Sequence, residues 1–393
     1  AHRAVVPATK CSIRRACVAP LNRLFLMPSL ITPHGVIWDS PFFFMMQLVS
    51  LFLVVLCVEA YYLYGYLSFK DDYCGSFASL DDEIGWVLRT STSSCIKSGE
   101  NASDPNYFSS TILINADGFR VDDTASPTPT NGMLAIGDSW TFGYGIDWED
   151  SFAAQLTRSY GRPTALLASP AYSGAQALLL ARRHIESLRA NTIIYLELGN
   201  WDRSVCSGKT RPAAILKPCY WVDGDDVVHL VTPRPGYVHR MSSIGLRPGG
   251  MVGAGEKTLA YFLIARPVAK IKQLMVRLRL LSGFGNDFAA WGREEDFAKI
   301  RAAHLEQLLL FAKDAGARLL LIDPGEVYKP HALDSSDKKS LIYIGRSEWV
   351  ASVKKPMSQL PKALARVPGD GQFGPGTHRL IAALIDAKLQ SQN

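Results

Sequence analysis

A serine at the end of an apolar run is the residue of this chain best placed to act as a nucleophile. Residues 133–138 read Met-Leu-Ala-Ile-Gly-Asp, a pattern that predicts a strand ending in a turn, and Ser139 follows directly. At the carboxyl end of such a strand, the hydroxyl can attack a carbonyl carbon. The Ser139 backbone N–H, at the start of the next helix, then helps to hold the oxyanion. The same residues are also typical of an ordinary strand followed by a glycine turn.

Five segments, one before Ser139 and four after it, carry short motifs in a defined order along the chain. Before Ser139 stands Ile114-Asn-Ala-Asp-Gly-Phe-Arg120, and after it come Gly145–Phe152, Leu167–Gln176, Tyr195–Asp202 and Asp370–Ala382. Together with Gly137-Asp-Ser139, these segments resemble the motifs of the SGNH, or GDSL-like, hydrolases and their O-acyltransferase relatives. The resemblance covers about residues 111–202 and 297–390. It implies a serine-dependent activity on acyl esters.

The resemblance also implies roles for single residues. Ser139 matches the nucleophile and Asp370 matches the orienting aspartate, but Gln372 stands where the catalytic histidine is expected. An amide has no lone pair as basic as that of imidazole, so it cannot accept the serine proton at neutral pH. His378 is the alternative base, although the matching histidine in relatives is usually structural.

The oxyanion donors implied by the family are the backbone N–H groups of Ser139 and Ala171 and the side chain of Asn200. Ala171 aligns with a family glycine, and an ungapped alignment puts Trp201 where the family asparagine belongs, with Asn200 one place earlier. If the site is active, water or a sugar hydroxyl accepts the acyl group. We therefore expect a serine esterase or O-acyltransferase that acts on an envelope glycan or lipid. The alternative is an inactive SGNH fold that binds glycan or scaffolds an envelope acylation system.

The N-terminal residues predict attachment to a membrane. Residues 1–40 are basic, and residues 41–69 form an apolar run long enough for one transmembrane helix. By the positive-inside rule, everything after residue 69 lies outside the cytoplasm. A secretory signal cleaved near Val58-Glu-Ala60 is the alternative, and either segment would export the rest of the chain. Residues 1–40 have two interpretations: a basic segment that stays in the cytoplasm, or a spurious extension of a reading frame that begins at Met45 or Met46.

Cysteine positions agree with export. The pairs Cys74–Cys95 and Cys206–Cys219 would each close a short loop as a disulfide, and four unrelated thiols are the alternative. Their spacing is not that of a zinc site. The sequence predicts neither a metal nor a cofactor.

Composition and pattern predict one α/β domain. The chain has 393 residues, 20% of them charged, and a net charge of +6. Its basic residues are scattered and match no nucleic-acid-binding motif, so nucleic acid is not an expected partner. Alternating strand and helix patterns predict a parallel sheet flanked by helices, a flavodoxin-like α/β/α sandwich. The predicted strands are 133–138, 164–169, 192–198 and 318–323, and the predicted helices are 149–160, 174–189, 292–316 and 376–389.

The predicted α/β domain spans residues 111–393. A connector precedes it, and an insertion interrupts it. Residues 70–110 are polar and predict a connector. An insertion at about 203–290 contains His229, His239 and the amphipathic stretch 257–281. These histidines either fold over the site or lie exposed in loops, and we favour the second. The amphipathic stretch suits either a helix on the membrane surface or, as we favour, a cover over the sheet or the site.

Overall fold

The computed structural model describes residues 77–98, 104–197, 204, 217–233, 296–328 and 340–392, together with 45, 47, 49 and 50. The chain divides into two units, Ala1–Cys57 and Val58–Asn393, and every element named below belongs to the second. The described residues of the first unit are helical. Within the described ranges, no helix combines the length and the apolar character that crossing a membrane requires. Most of the predicted membrane segment, 41–69, lies outside these ranges.

The strands and helices alternate along most of the chain. The strands are β1 (Ala78–Asp81), β2 (Gly85–Leu88), β3 (Thr92–Ser98), β4 (Phe108–Ile114), β5 (Arg120–Val121), β6 (Met133–Gly137), β7 (Thr164–Ala168), β8 (Thr192–Leu196), β9 (Cys219–Val222), β10 (Val228–Val231), β11 (Arg318–Ile322) and β12 (Leu341–Ile344). The α-helices are α1 (Ser139–Phe142), α2 (Phe152–Tyr160), α3 (Gly174–Leu188), α4 (Phe297–Asp314), α5 (Arg346–Trp349), α6 (Lys355–Met357), α7 (Lys362–Ala365) and α8 (Pro375–Gln390). A 3-10 turn at Trp148–Asp150 precedes α2, and a π-helical stretch at Val350–Lys354 joins α5 to α6.

A central sheet organises the part of the second unit that the structure describes. Its eight strands lie in the order β12-β11-β8-β6-β7-β5-β4-β3. The strands from β12 to β7 are parallel to one another. The strands β5, β4 and β3 continue the sheet in antiparallel pairing. Two separate hairpins, β1–β2 and β9–β10, stand outside it.

Helices cover both faces of the sheet, which explains why its central strands are buried at every position and mostly apolar. All residues of β6, β7 and β8 are buried. Met133 and Ala135 of β6 pack in the same core cluster as residues of α2 and α8. Leu134 and Ile136, which point the other way, pack with α3 and α4. The mixed α/β architecture with a large sheet flanked by helices is therefore confirmed.

Two expectations about the fold were too simple. The sheet is mixed rather than wholly parallel, and residues 70–110 are more than a connector, because β1, β2, β3 and the start of β4 lie there. In β4, every second residue is buried and the exposed ones are Ser109 and Thr111. A strand that is half exposed contains many polar residues, and its composition therefore resembles that of a linker.

Two of the four cysteines that follow residue 69 lie in the described ranges. Cys95 in β3 and Cys219 in β9 are each disulfide-bonded. Their predicted partners, Cys74 and Cys206, lie outside the described residues, so both pairings stay predictions. Most of the predicted insertion, including His239 and the stretch 257–281, also lies outside them.

Candidate active site

Ser139 occupies the position that the sequence predicts, directly after the β6 strand. Asp138 is the N-cap of α1, where its carboxylate accepts a hydrogen bond from the Trp140 backbone N–H at 3.0 Å. Gly137 has a φ of 155°, and a Cβ atom there would lie 2.2 Å from the Thr141 hydroxyl oxygen. Only glycine fits this turn. Ser139 therefore begins a helix at the carboxyl edge of a parallel sheet, where its backbone N–H is among those without a partner inside the helix.

Gln372 is the hydrogen-bonding partner of the candidate nucleophile. Its Nε2 donates to the Ser139 Oγ at 3.2 Å. A narrow turn brings it there, because Arg366 and Phe373 form an antiparallel bridge and the Val367 backbone N–H donates to the Gln372 carbonyl at 2.9 Å. Residue 372 thus lies beside the serine, which is the position that the family resemblance gives to its histidine.

The amide of Gln372 is not a base. Its Oε1 is buried and has no hydrogen-bonding partner within the described part of the chain. Turning the amide over would let Oε1 accept the Ser139 hydroxyl hydrogen and would leave Nε2 unpaired instead. In neither orientation does the serine face an atom with the proton affinity of imidazole.

Asp370, the predicted orienting residue, lies two residues before Gln372 in the same turn. Its side chain is exposed, and its backbone N–H donates to the Val367 carbonyl at 3.4 Å. The sequence thus brings Asp370 to the right loop. Its catalytic role stays a prediction, because no imidazole stands at 372 for it to orient.

Ala171 adopts a backbone conformation that glycine normally occupies. Its φ is 64°, in the left-handed region. The residue lies in the loop after β7, and the Ser169 backbone N–H ties this loop to the Gly137 carbonyl at 3.4 Å. The backbone therefore agrees with the alignment of Ala171 to a family glycine. Asn200, the third predicted oxyanion donor, lies outside the described residues.

His378, the alternative base, lies in the core. The Phe152 backbone N–H donates to its Nδ1 at 3.1 Å, and its ring stacks on that of Phe152 with centroids 5.8 Å apart. His378 thus caps the N-terminus of α2. Burial lowers the pKa of His378 to about 3, so the ring is neutral. These contacts give it a structural role.

His229 is half-buried in the strand β10, rather than exposed in a loop as expected, and its own hairpin, β9–β10, holds it. Its Nε2 lies 2.6 Å from the Asp223 carboxylate, and its ring stacks on Trp221. The contacts are local, within eight residues of chain, and they stabilise the hairpin. His239 lies outside the described residues.

A cleft opens beside the Ser139 turn, between the ends of β6 and β8. It is lined by Gly137, Asp138, Tyr172, Ser173, Gly174, Tyr195, Leu196 and Glu197. Ile136 of β6 pairs with Tyr195 of the parallel strand β8. Asp138 and Glu197, each two residues later, therefore lie side by side just after the ends of these strands. Leu196 pairs with Ile322 of the next strand, and Asp323 follows it. Three buried carboxyl groups, Asp138, Glu197 and Asp323, thus follow adjacent strands at this edge.

Two of the cleft residues, Tyr195 and Glu197, belong to a group of buried polar residues that the sequence did not single out. We call Tyr195, Glu197, Tyr220, His304 and Tyr328 the Glu197 cluster. The Tyr195 and Tyr328 hydroxyls donate to Glu197 Oε2 at 3.1 and 3.5 Å. The Tyr220 hydroxyl lies 3.0 Å from His304 Nδ1, and His304 Nε2 is buried with no partner in the described ranges.

Burial dominates the electrostatics of this cluster. It lowers the pKa of His304 to about 3 and, with the nearby Glu197 charge, raises the pKa of Tyr195 well above its ordinary value. The imidazole and the phenols are therefore uncharged. Among the described residues, no three His, Cys, Asp or Glu side chains are grouped as a metal site would require.

No family model matches the chain, and no curated protein matches it. Among solved structures, it is similar to an acetyl xylan esterase from the rumen bacterium Butyrivibrio proteoclasticus, with a TM-score of 0.32 and 14% identity. That similarity covers 68% of this chain and 64% of the esterase, which is less than two thirds of the esterase's length. At this level it carries no conclusion about function, and the SGNH resemblance stays a prediction.

Proposed function

We propose that the chain is an SGNH-type serine esterase or O-acyltransferase in which Gln372 replaces the catalytic histidine, acting on acyl esters of an envelope glycan or lipid. The observation that carries the proposal is the hydrogen bond from Gln372 Nε2 to Ser139 Oγ at 3.2 Å. These residues are far apart in sequence, and the resemblance requires them to meet. If the Ser139 segment were only an ordinary strand followed by a glycine turn, nothing would require Gln372 to contact Ser139.

The proposed reaction begins with attack of the Ser139 oxygen on the acyl carbonyl carbon. The C–O bond to the leaving group then breaks, and the departing alkoxide takes up a proton from solvent, to which Ser139 has lost its hydroxyl proton. Water or a sugar hydroxyl cleaves the resulting acyl-serine. Backbone N–H groups of Ser139 and Ala171, with Asn200, would stabilise the oxyanion. Because a positioned general base contributes roughly 10²–10⁴-fold, turnover without one should be slow but measurable.

The second candidate is a non-catalytic protein that binds acylated glycan or scaffolds an acylation system. One observation favours it. In the described arrangement, the Gln372 amide donates to the serine oxygen, and a donor there cannot remove the serine proton. Such a site would hold an ester without cleaving it.

Serine-dependent turnover separates the two candidates. The full chain would be assayed with p-nitrophenyl acetate and with a fluorophosphonate that labels activated serines. We expect slow hydrolysis and slow labelling, both lost in Ser139→Ala and both kept in Ser159→Ala, which alters an exposed serine of α2. Turnover that is equal in wild type and Ser139→Ala would reject the catalytic proposal. Binding of an acetylated but not a deacetylated glycan by inert protein would support the second candidate.

We further propose that the second unit works outside the cytoplasm, tethered by the segment 41–69. The disulfide-bonded states of Cys95 and Cys219 support export, because disulfides persist mainly in oxidising compartments. Alkaline phosphatase, which needs export, fused after Asn393 should be active, whereas a cytoplasmic reporter at the same place should be silent. The reverse pattern would contradict the proposed topology.

A further inference from the structure

Arg120 is a buried cation whose side chain reaches the loop after the candidate nucleophile. It begins the short strand β5 and is 1% exposed. Asp147 and Glu149 act on its charge only at a distance, and burial lowers its pKa to about 10. A desolvated guanidinium is costly unless its donors are satisfied. The hydrogen-bond acceptors of the Arg120 guanidinium must therefore offset the cost of burying it.

Those partners are backbone carbonyls rather than a carboxylate. Arg120 Nη1 donates to the Phe142 carbonyl and, at 2.9 Å, to the Gly143 carbonyl. Nη2 donates to the Ile146 carbonyl at 2.5 Å and to the Thr111 carbonyl at 3.5 Å. The guanidinium also lies over the Phe142 ring, 4.7 Å from its centroid.

Phe142 and Gly143 end the helix that Ser139 begins. That helix, α1, has four residues, too few to be stable alone, and its last carbonyls lack partners within the helix. Asp138 holds its first turn through the Trp140 N–H, and Arg120 holds its last carbonyls. The positive charge also suits the negative end of the helix. Ser139 is thus carried on a single turn that is fixed at both ends.

The loop has room for the guanidinium because residue 143 is glycine. Gly143 is in the left-handed region with a φ of 76°. A Cβ atom there would lie 3.1 Å from Arg120 Nη1. Arg120 and Gly143 therefore fit each other at close range, and either can be changed to disturb the same contact.

We infer that Arg120 is a positioning residue that sets the place of the Ser139 hydroxyl and N–H by clamping the carbonyls of α1 and its following loop. The catalytic part of this inference rests on the proposed function. Small displacements of a reacting group cost rate rather than binding, and a shift of about 1 Å can cost about 100-fold. Loss of the clamp should therefore lower kcat and leave KM nearly unchanged.

The test compares Arg120→Lys with Arg158→Lys, an exposed arginine paired with Asp122 at 3.0 Å. Ester turnover is measured in the wild type and in a Gln372→His background. Arg120→Lys should lower kcat roughly 10- to 100-fold with KM within about twofold, whereas Arg158→Lys should change neither. An unchanged kcat in a turnover-competent background would overturn the inference.

Hydrogen exchange supplies a readout that does not need turnover. In Arg120→Lys, exchange should accelerate in peptides covering residues 139–147 and stay unchanged in α3 and α8. Acceleration confined to residues 139–147 supports the clamp even if no ester is cleaved. The absence of ester cleavage would then count against the proposed function and not against the clamp. Unchanged exchange in that segment, or a uniform rise over the whole chain, would overturn the inference. If Arg120→Lys does not fold, Gly143→Ala tests the same contact from the loop side, with the same outcomes.

Discussion

The sheet edge carries two polar neighbourhoods of opposite character. Beside β6, Ser139 has an amide for a neighbour, Gln372. Behind β8, the Glu197 cluster gathers a carboxylate, an imidazole and three phenols, all buried. The first has a candidate nucleophile, Ser139, and no base among its described contacts. The second has titratable groups and no serine among its five residues. A shifted pKa therefore does not locate the chemistry of this protein, because burial, with a smaller effect of the Arg182 charge, accounts for the lowered pKa of His304.

The largest expected effect comes from putting a base into the first neighbourhood. Gln372→His places an imidazole where an amide now lies 3.2 Å from the Ser139 oxygen. Turnover of p-nitrophenyl acetate should rise by roughly 10²–10⁴-fold, the usual contribution of a positioned general base. Steady-state kinetics on purified variants would measure it.

Two controls belong with this change. Adding Ser139→Ala should remove the whole gain, and Gln359→His, which alters an exposed glutamine before α7, should give none. If Gln372→His has no more activity than wild type although it folds, the site lacks more than a base. The binding role would then explain the site better.

His378→Ala tests whether the buried histidine is structural. The change removes the acceptor of the Phe152 N–H and the ring that stacks on Phe152. The free energy of unfolding should fall by about 2–5 kcal/mol, as for other large buried side chains cut to alanine. Turnover per folded molecule should change less than about threefold, since His378 is not placed in the reaction. A loss of turnover without a loss of stability would instead make His378 the base.

The pH dependence of stability tests the second neighbourhood. Burial lowers the pKa of His304 from 6.5 to about 3, so between those values the unfolded chain binds the extra proton. Stability therefore falls as pH falls through this window. His304→Phe removes that contribution, and its stability should fall less steeply by up to about 1.4 kcal/mol per pH unit.

Urea titrations at pH 8, 7, 6 and 5 would measure this difference. Above pH 7 the wild type and His304→Phe both carry a neutral side chain at position 304. Their free energies of unfolding should therefore change with pH at the same slope there. Equal slopes below pH 6 would mean that His304 can be protonated in the folded protein, which its burial argues against.

Much of this fold could be predicted from sequence, for a physical reason. The strands β6, β7, β8 and β11 are short runs buried almost throughout, and a continuous apolar run bounded by turns marks such strands. The edge strands β3 and β4 are half exposed and rich in Ser and Thr, so composition could not separate them from a linker.

The site was predictable only in part. Ser139 and Gln372 meet as the family spacing implies, and Gly137 explains why the turn is so tight. Arg120 ends a recognised motif, yet its role depends on carbonyls more than 20 residues later, which no local pattern reveals. The Glu197 cluster draws its residues from β8 and the loop after it, from β9, from α4 and from the loop after β11, and only the folded chain brings them together.

The smallest expected effect comes from Asp370, and its size depends on residue 372. An orienting aspartate acts by holding an imidazole in one tautomer, and the wild type has no imidazole there. Asp370→Asn should therefore change wild-type turnover by less than about threefold, whereas in Gln372→His it should cost on the order of 10-fold or more. Steady-state rates for the four proteins of this double-mutant cycle give the coupling. Equal losses in both backgrounds would mean that Asp370 supports the turn itself, as its backbone contact with Val367 allows, and not a base at 372.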